Sequence, residues 1–397
     1  MSTRLAAARE HLGWSQARLL SELERRARSA GLAVMSASSL KTALSCWENG
    51  HVTPDRHYRQ LLRDIYGLDD AELGFAPLAV VRAEVDQPAD AAADLRRDMD
   101  QLLGADAATC VAGLEERTSL QAQECVRVAP SAMLTRLLAD FEDVKTLLRQ
   151  PVGQPLGMRL YQVAADLSVL VGDEFMGLGR PADSQAWYTT AKAAATRTGS
   201  PQARARALSL NALLYLYYGS PTKAVSLAQE TYELRVGGPA TCLAASVEAF
   251  AQAQLGNEVA ARSALRHSTD VCRGQSQEHS VFGFTDRRQL FYRGRALSRI
   301  GRWAEAQAAV TDALSSYPLD VVGDPAVLRL DLAERLVTEG DLLQAAELAV
   351  SVLGELRPEH RAGLFTDAGR RVLSGVVPLG RRHAVVEQLG ALTAKAS

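Results

Sequence analysis

The 397-residue chain predicts an all-α protein, a small N-terminal domain of short helices followed by a long array of paired helices. Three observations carry that expectation. Residues 1 to about 75 break into short stretches of helical periodicity between sharp stop signals. Beyond about Gly157 strand signals are almost absent. Over the same C-terminal stretch, small residues recur at the spacing of helical hairpins.

Taken in order, Thr3 to Leu12 reads as a helix stopped by Gly13, and Ser15 caps a second, SQARLLSELERRARSAG, with Leu19, Leu20 and Leu23 as its apolar stripe. SLKTALSCWENG supplies a third, ended by Asn-Gly. Pro54, at a first-turn position, opens a fourth, DRHYRQLLRDIYGL, with Tyr58, Leu61, Leu62 and Ile65 on one side and Arg56, Arg59 and Arg63 on the other. From about Ala83 to Ala93 the composition turns small and acidic and reads as a linker. Helical patterns resume at Leu95, Leu114 and Met133. The expected domains are therefore residues 1–76, an acidic linker with connecting helices over 77–156, and a repeat domain over 157–397.

The repeat is measurable. A Gly followed five residues later by a small residue recurs as Gly179/Ser184, Gly219/Ala224, Gly256/Ala261, Gly301/Ala306 and Gly340/Ala345, with Gly-to-Gly steps of 40, 37, 45 and 39. Seven residues before each Gly stands Gly172, Ala212, Ala249, Gly294 or Ala333. A helical hairpin needs small side chains where its helices cross closely and a Gly free to take positive φ in the turn. The pattern resembles the tetratricopeptide repeat family, most clearly in QLFYRGRALSRIGRWAEAQAAVTDALSSYP, where Gly294, Gly301, Trp303, Ala306, Ala313 and Pro318 fall on the family positions. The resemblance covers roughly residues 160–355 and implies a right-handed α-superhelix of five or six hairpins. Steps above the family's usual 34 or so residues imply longer helices or turns.

A net charge of −2 restricts any nucleic-acid surface to a local patch. Five scattered cysteines without a C-x-x-C pair suit a reduced, cytoplasmic protein, and no stretch approaches the roughly 18 uncharged residues of a membrane span. No G-x-S-x-G, G-x-x-x-x-G-K or H-E-x-x-H occurs, so neither an enzyme nor a cofactor is expected. VGDEFMGLGRP has close glycines but no preceding strand, which argues against a nucleotide loop. His11, His51 and His57 lack metal-ligand spacing, so no metal is expected either.

WSQARLL and LSCWENGHVTPD resemble the phage-repressor-like helix-turn-helix family, often called XRE. The resemblance implies that Trp47 is buried, that Glu48 and Gly50 end the reading helix, and that Gln16 opens the helix before it as a DNA contact, gripping the backbone and bracing a base-reading partner. It places Lys41, Thr42 and Ser45 toward the bases, and Asn49, His51, Thr53 and Arg56 near phosphates. Two departures stand out: Cys46 occupies the place of the family's usual Arg, and residues 24–37 exceed a tight turn. Arg25, Arg26 and Arg28 alternate with Glu22 and Glu24 and read as a solvated face.

The order of segments is similar to actinobacterial regulators that pair such a head with C-terminal tetratricopeptide repeats. That resemblance implies a dimer on a double-stranded DNA operator, with repeats that sense a peptide, another small molecule or a partner protein. Repeat geometry places Asp173, Arg206, Phe250, Arg288, Phe291, Arg295 and Glu334 on the concave face, where basic residues near Phe291 are candidates to hold a carboxylate. Tyr215, Tyr217 and Tyr218 read as packing between repeats. The alternative is an interaction adaptor whose head does not read DNA.

Overall fold

The structure, a computed structural model, describes residues 3–29, 37–49, 54, 56–68, 73, 95–96, 99, 106–274, 280–318, 320–380 and 383–394. The expected linker over residues 83–93, with Gly50, His51 and Thr53, lies outside the described residues. Among the described residues there are helices and no strands, as the sequence predicts. The chain divides into two compact units, residues 1–88 and 89–397.

The first unit holds α1 (Arg4–His11), α2 (Gln16–Ser29), α3 (Ala37–Glu48) and α4 (Arg56–Tyr66). The first two starts have a local cause. Thr3 Oγ1 accepts from the Ala6 amide at 3.3 Å, and Ser15 Oγ accepts from the Arg18 amide at 3.2 Å, satisfying N–H groups that have no partner in the first turn. Gly13, at φ +65°, turns the chain between α1 and α2. Pro54 precedes α4 by two residues instead of sitting in its first turn. One apolar stripe from each helix meets in a common core: Leu5, then Leu19 and Leu23, then Leu40, Leu44 and Trp47, then Tyr58, Leu61 and Leu62. The Trp47 ring lies 5.1 Å from that of Tyr58.

In the second unit, α5 (Ala107–Glu124) and α6 (Pro130–Leu148) pack on α7 (Gln154–Gly177), which pairs with α8 (Pro181–Arg197). There follow α9 (Pro201–Tyr217) with α10 (Pro221–Glu233), and α11 (Gly238–Gln254) with α12 (Glu258–Val271). Three more pairs complete the array: α13 (Asp286–Arg299) with α14 (Trp303–Ser316), α15 (Gly323–Glu339) with α16 (Leu342–Glu355), and α17 (Gly363–Gly375) with α18 (Ala384–Thr393). The connecting helices α5 and α6 thus lie within the second unit.

The small-residue pattern is the hairpin contact itself. Gly179, Gly219, Gly256, Gly301 and Gly340 all turn at φ between +73° and +91°. Ser184 Oγ donates to the Gly172 carbonyl across the first crossing at 2.7 Å. At Gly294 an added Cβ would stand 2.7 Å from Val310 Cγ2, inside van der Waals contact. Ala212, Ala249 and Ala333 are fully buried at the equivalent positions.

A closer approach joins the end of this unit to α7. Gly363, at φ +44°, lies where a Cβ would come within 2.0 Å of the Gly177 carbonyl oxygen and 2.3 Å of the Gly179 nitrogen. Two backbones touch there with no room for any side chain. A 3₁₀ turn, Pro358–His360, precedes it, and its His360 Nε2 lies 3.2 Å from the Arg127 carbonyl oxygen. The apolar core of this unit forms two clusters, a large one running from α5 to Leu328 on α15 and a second built from α15 to α18.

Gly363→Ala is expected to destabilise the second unit by on the order of 3 kcal/mol or more in urea unfolding, since both φ and the touching backbone oppose the methyl group. Gly256→Ala, with the same sign of φ but open space around it, is expected to cost about 1 kcal/mol.

Candidate functional site

In the first unit α3 sorts its residues by face. Leu40, Leu44 and Trp47 are buried, while Lys41, Ser45 and Asn49 follow one another at four-residue steps on another side. Lys41 and Asn49 are exposed and Ser45 is half-buried. Asn49 Nδ2 donates back to the Ser45 carbonyl at 2.8 Å, closing the helix end.

The orientation of α3 is set from behind by Glu48, a carboxylate that is itself buried. Arg9 Nε donates to its Oε1 at 2.6 Å and Arg9 Nη2 to its Oε2 at 3.2 Å, a forked pair. Gln16 Nε2 donates to the same Oε2 at 2.7 Å, and Thr3 Oγ1 donates to the Glu48 carbonyl at 2.7 Å. Arg9 Nη1 also reaches the Trp14 carbonyl at 2.7 Å. One carboxylate therefore ties together α1, the turn after it, the start of α2 and the end of α3. The Gln16 amide nitrogen is engaged in this clamp, so the residue braces α3 from within the unit. Arg9 was not singled out in the sequence, because its partner lies 39 positions away.

Thr42 lies on α3 and Arg56 opens α4, but their side chains, like all of His51 and Thr53, fall outside the described residues. Arg25 and Arg26 donate to Glu22 at 2.9 and 3.2 Å, which makes them a paired surface cluster. From residue 1 to Leu68 the chain carries ten Lys and Arg against six Asp and Glu.

The second unit carries a half-open cavity of about 210 Å³. It lies where the two apolar clusters meet, between the ends of α5 and α7, the 280–288 segment, α13, the start of α15 and the His360 turn. Its polar wall is formed by Asp173, Glu174, Tyr217, Arg288, Tyr292 and Asp324, and its apolar wall includes Val126, Val128, Val322 and Phe365. The Val281 amide donates to the Ala122 carbonyl at 2.9 Å, fastening the 280–288 segment to α5. Thr285 caps α13, and Arg288 Nη1 donates to the Val281 and Gly283 carbonyls, each at 3.1 Å. Tyr317 donates to Asp324 at 2.9 Å.

Burial pushes the Asp173 carboxyl up to about 6, the Asp324 charge adding to the effect and Arg288 opposing it. Glu174 is raised well above the ordinary carboxylate range, by burial first and by the adjacent Asp173 charge second. Its Oε1 is buried without a hydrogen-bond partner among the described residues, as is His360 Nδ1.

Of the seven residues expected on a concave face, this cavity brings together Asp173 and Arg288 only. The others are corrected by what surrounds them. Arg295 Nε donates to Asp331 at 2.5 Å and its Nη1 to Tyr217 Oη at 3.0 Å, while its guanidinium lies over the Phe250 and Phe291 rings at 4.4 and 5.1 Å. These groups fill the space a ligand would need, and both phenylalanines are almost wholly buried. Arg206 donates to Asp166 at 2.6 Å, stacks on Phe282 and borders a separate cavity. Glu334 accepts from Arg371 at 2.8 Å and lines neither space. Tyr218 packs between hairpins by donating to the Met176 carbonyl at 2.7 Å, whereas Tyr217 borders the cavity that holds Asp173. Glu174 was missed, although two adjacent carboxylates inside the apolar run LSVLVGDEFMG were a visible signal.

Among the described residues no group of three or more His, Cys, Asp and Glu is placed to hold a metal ion, and no helix is long and apolar enough to cross a membrane. The chain matches no family model and no curated protein sequence.

A carboxyl raised from 3.8 to about 6 holds a proton in the folded state that the unfolded chain releases, so it makes stability fall as pH rises through that window. Asp173→Asn is therefore expected to raise Tm by roughly 2 °C or more at pH 7.5, with the gain vanishing at pH 3.5, as followed by calorimetry.

Proposed function

We propose that this chain is a sequence-specific DNA-binding transcriptional regulator that acts as a dimer, with α3 as its reading helix and the second unit as the receiver of a small signal. The observation that carries the reading is the two-sided α3. Leu40, Leu44 and Trp47 anchor it, Glu48 fixes its end against Arg9 and Gln16, and Lys41, Ser45 and Asn49 form a polar stripe away from the core.

A helix that reads base edges needs this combination of rigid backing and short polar or cationic groups on the outer side. The basic excess up to Leu68 supplies attraction to phosphate, which the whole chain with its net charge of −2 does not. A single head spans one half-site, so two heads on a two-fold operator are part of the proposal. The hairpin array is read as a tetratricopeptide-like superhelix on the strength of its Gly and Ala spacing. The cavity that holds Asp173 and Arg288 is its receiving site. A signal bound there acts through differential affinity for two arrangements of the second unit, which changes how a dimer presents its heads.

Selection from a random duplex library is expected to enrich one two-fold sequence. Lys41→Ala with Ser45→Ala is expected to weaken binding to that sequence by about 10- to 100-fold, at fixed salt and with unchanged helicity. No enrichment, or equal retention by the double variant, would favour the adaptor reading, for which Cys46 in place of the family's Arg is the specific observation.

A further inference from the structure

We infer that the cavity of the second unit takes a small organic cation, a primary ammonium group on a short apolar body, seated on Glu174 beside Asp173. The inference deepens the proposed function and rests on it only in taking this cavity as a ligand site.

The argument is one of unfilled valence. Three carboxylates border the space, Asp173, Glu174 and Asp324, against two guanidinium groups, Arg287 and Arg288. Most of these groups already have partners. Arg288 Nη1 is shared between two carbonyls, Arg287 Nη1 donates to the Ser316 carbonyl at 2.7 Å, and Asp324 accepts from Tyr317. Glu174 is 4 % exposed, and its Oε1 has no hydrogen-bond partner among the described residues. The carboxylate meets one weak donor, the Cys125 thiol, so what its unpartnered oxygen lacks is a strong one, and an ionised donor suits it best.

The charged and titratable groups nearest Glu174 are Asp173 on its own helix and Cys125 at the end of α5. Beyond them across the cavity stand Arg288, Asp324, Tyr292, Tyr317 and His360. An arriving ammonium ion would hold Glu174 in its charged form, which burial otherwise opposes.

Other occupants fit less well. The carboxylate expected from the sequence loses one of its two anchors, since Arg295 is bound to Asp331 and Tyr217 beneath packed rings, and meets Arg288 beside three carboxylates. A divalent metal would need the carboxylates gathered around one point, and among the described residues no such group of three exists. The apolar wall of Val126, Val128, Val322, Val327 and Phe365 suits an alkyl or aryl body, and about 210 Å³ suits a body of few atoms. The site bridges α7 to α15 and the His360 turn, so an occupant links the two apolar clusters.

The test uses the full chain without DNA and three probes of one shape, n-pentylammonium, pentan-1-ol and pentanoate, titrated by calorimetry at pH 7.5. The ammonium ion is expected to bind about tenfold or more tightly than the alcohol, and pentanoate more weakly than either. Glu174→Gln, isosteric and uncharged, is expected to bring the ammonium-to-alcohol ratio near one while the alcohol's Kd and the ligand-free Tm hold or improve. Val128→Phe, which fills the space from the apolar side, is expected to remove binding of both.

Tightest binding by pentanoate, no preference among the three, no binding at all, or an unchanged ratio in Glu174→Gln would each overturn the inference. Because DNA is absent, none of these outcomes depends on whether α3 reads bases. If the ammonium ion binds as expected but leaves the enriched duplex's affinity unchanged, the cavity assignment stands and the sensing half of the proposed function falls.

Discussion

The second unit depends on one contact made by backbone alone. Gly363 meets Gly177 and Gly179 so closely that no side chain fits between them, which brings the start of α17 against the end of α7. Everything around the cavity that holds Asp173 follows from this approach: the His360 turn comes within reach of Arg127, and Phe365 comes to face the helix that carries Asp173 and Glu174. Close packing makes such a contact two-sided, either seated or open, because touching backbones have no intermediate accommodation.

The first unit uses a different device for the same end. Its α3 is fixed through a buried carboxylate shared by Arg9 and Gln16, where a wholly apolar core would leave the helix freer to rotate about its axis. A buried ion pair of this kind contributes little to net stability, since desolvation offsets attraction, but its loss leaves an unpaired charge inside the protein. The value of Glu48 lies in direction. It holds the end of α3 while Leu40, Leu44 and Trp47 hold its side, and the opposite stripe is thereby presented in one orientation.

The hairpins were legible in the sequence because their cause is local and steric. Gly172, Gly294 and the alanines equivalent to them mark close crossings, and the five turn glycines take positive φ, so a fixed spacing of small residues reports the architecture directly. The helix starts at Thr3 and Ser15 and the inward Trp47 were legible for similar reasons. The site was legible only in part. Periodicity identified Asp173 and Arg288 but placed Arg295, Phe250 and Phe291 beside them, because it does not record that Arg295 is reached by Tyr217 and Asp331 from two other helices. Partnerships across 36 to 78 positions decide which side chains are filled and which remain open, and no local pattern encodes them. The Gly363 contact escaped for the same reason, since its partner is a backbone nearly half the chain away.

The most direct measurement of this account is amide hydrogen exchange on the full chain, comparing residues 172–179 with residues 363–369. If the glycine contact joins the two segments, both are protected and open together, with one shared free energy that falls equally when denaturant is added. Exchange of 363–369 at the rate of a fraying terminus, while 172–179 stays protected, would show that α17 is not seated on α7 and that the cavity has no lasting wall on that side.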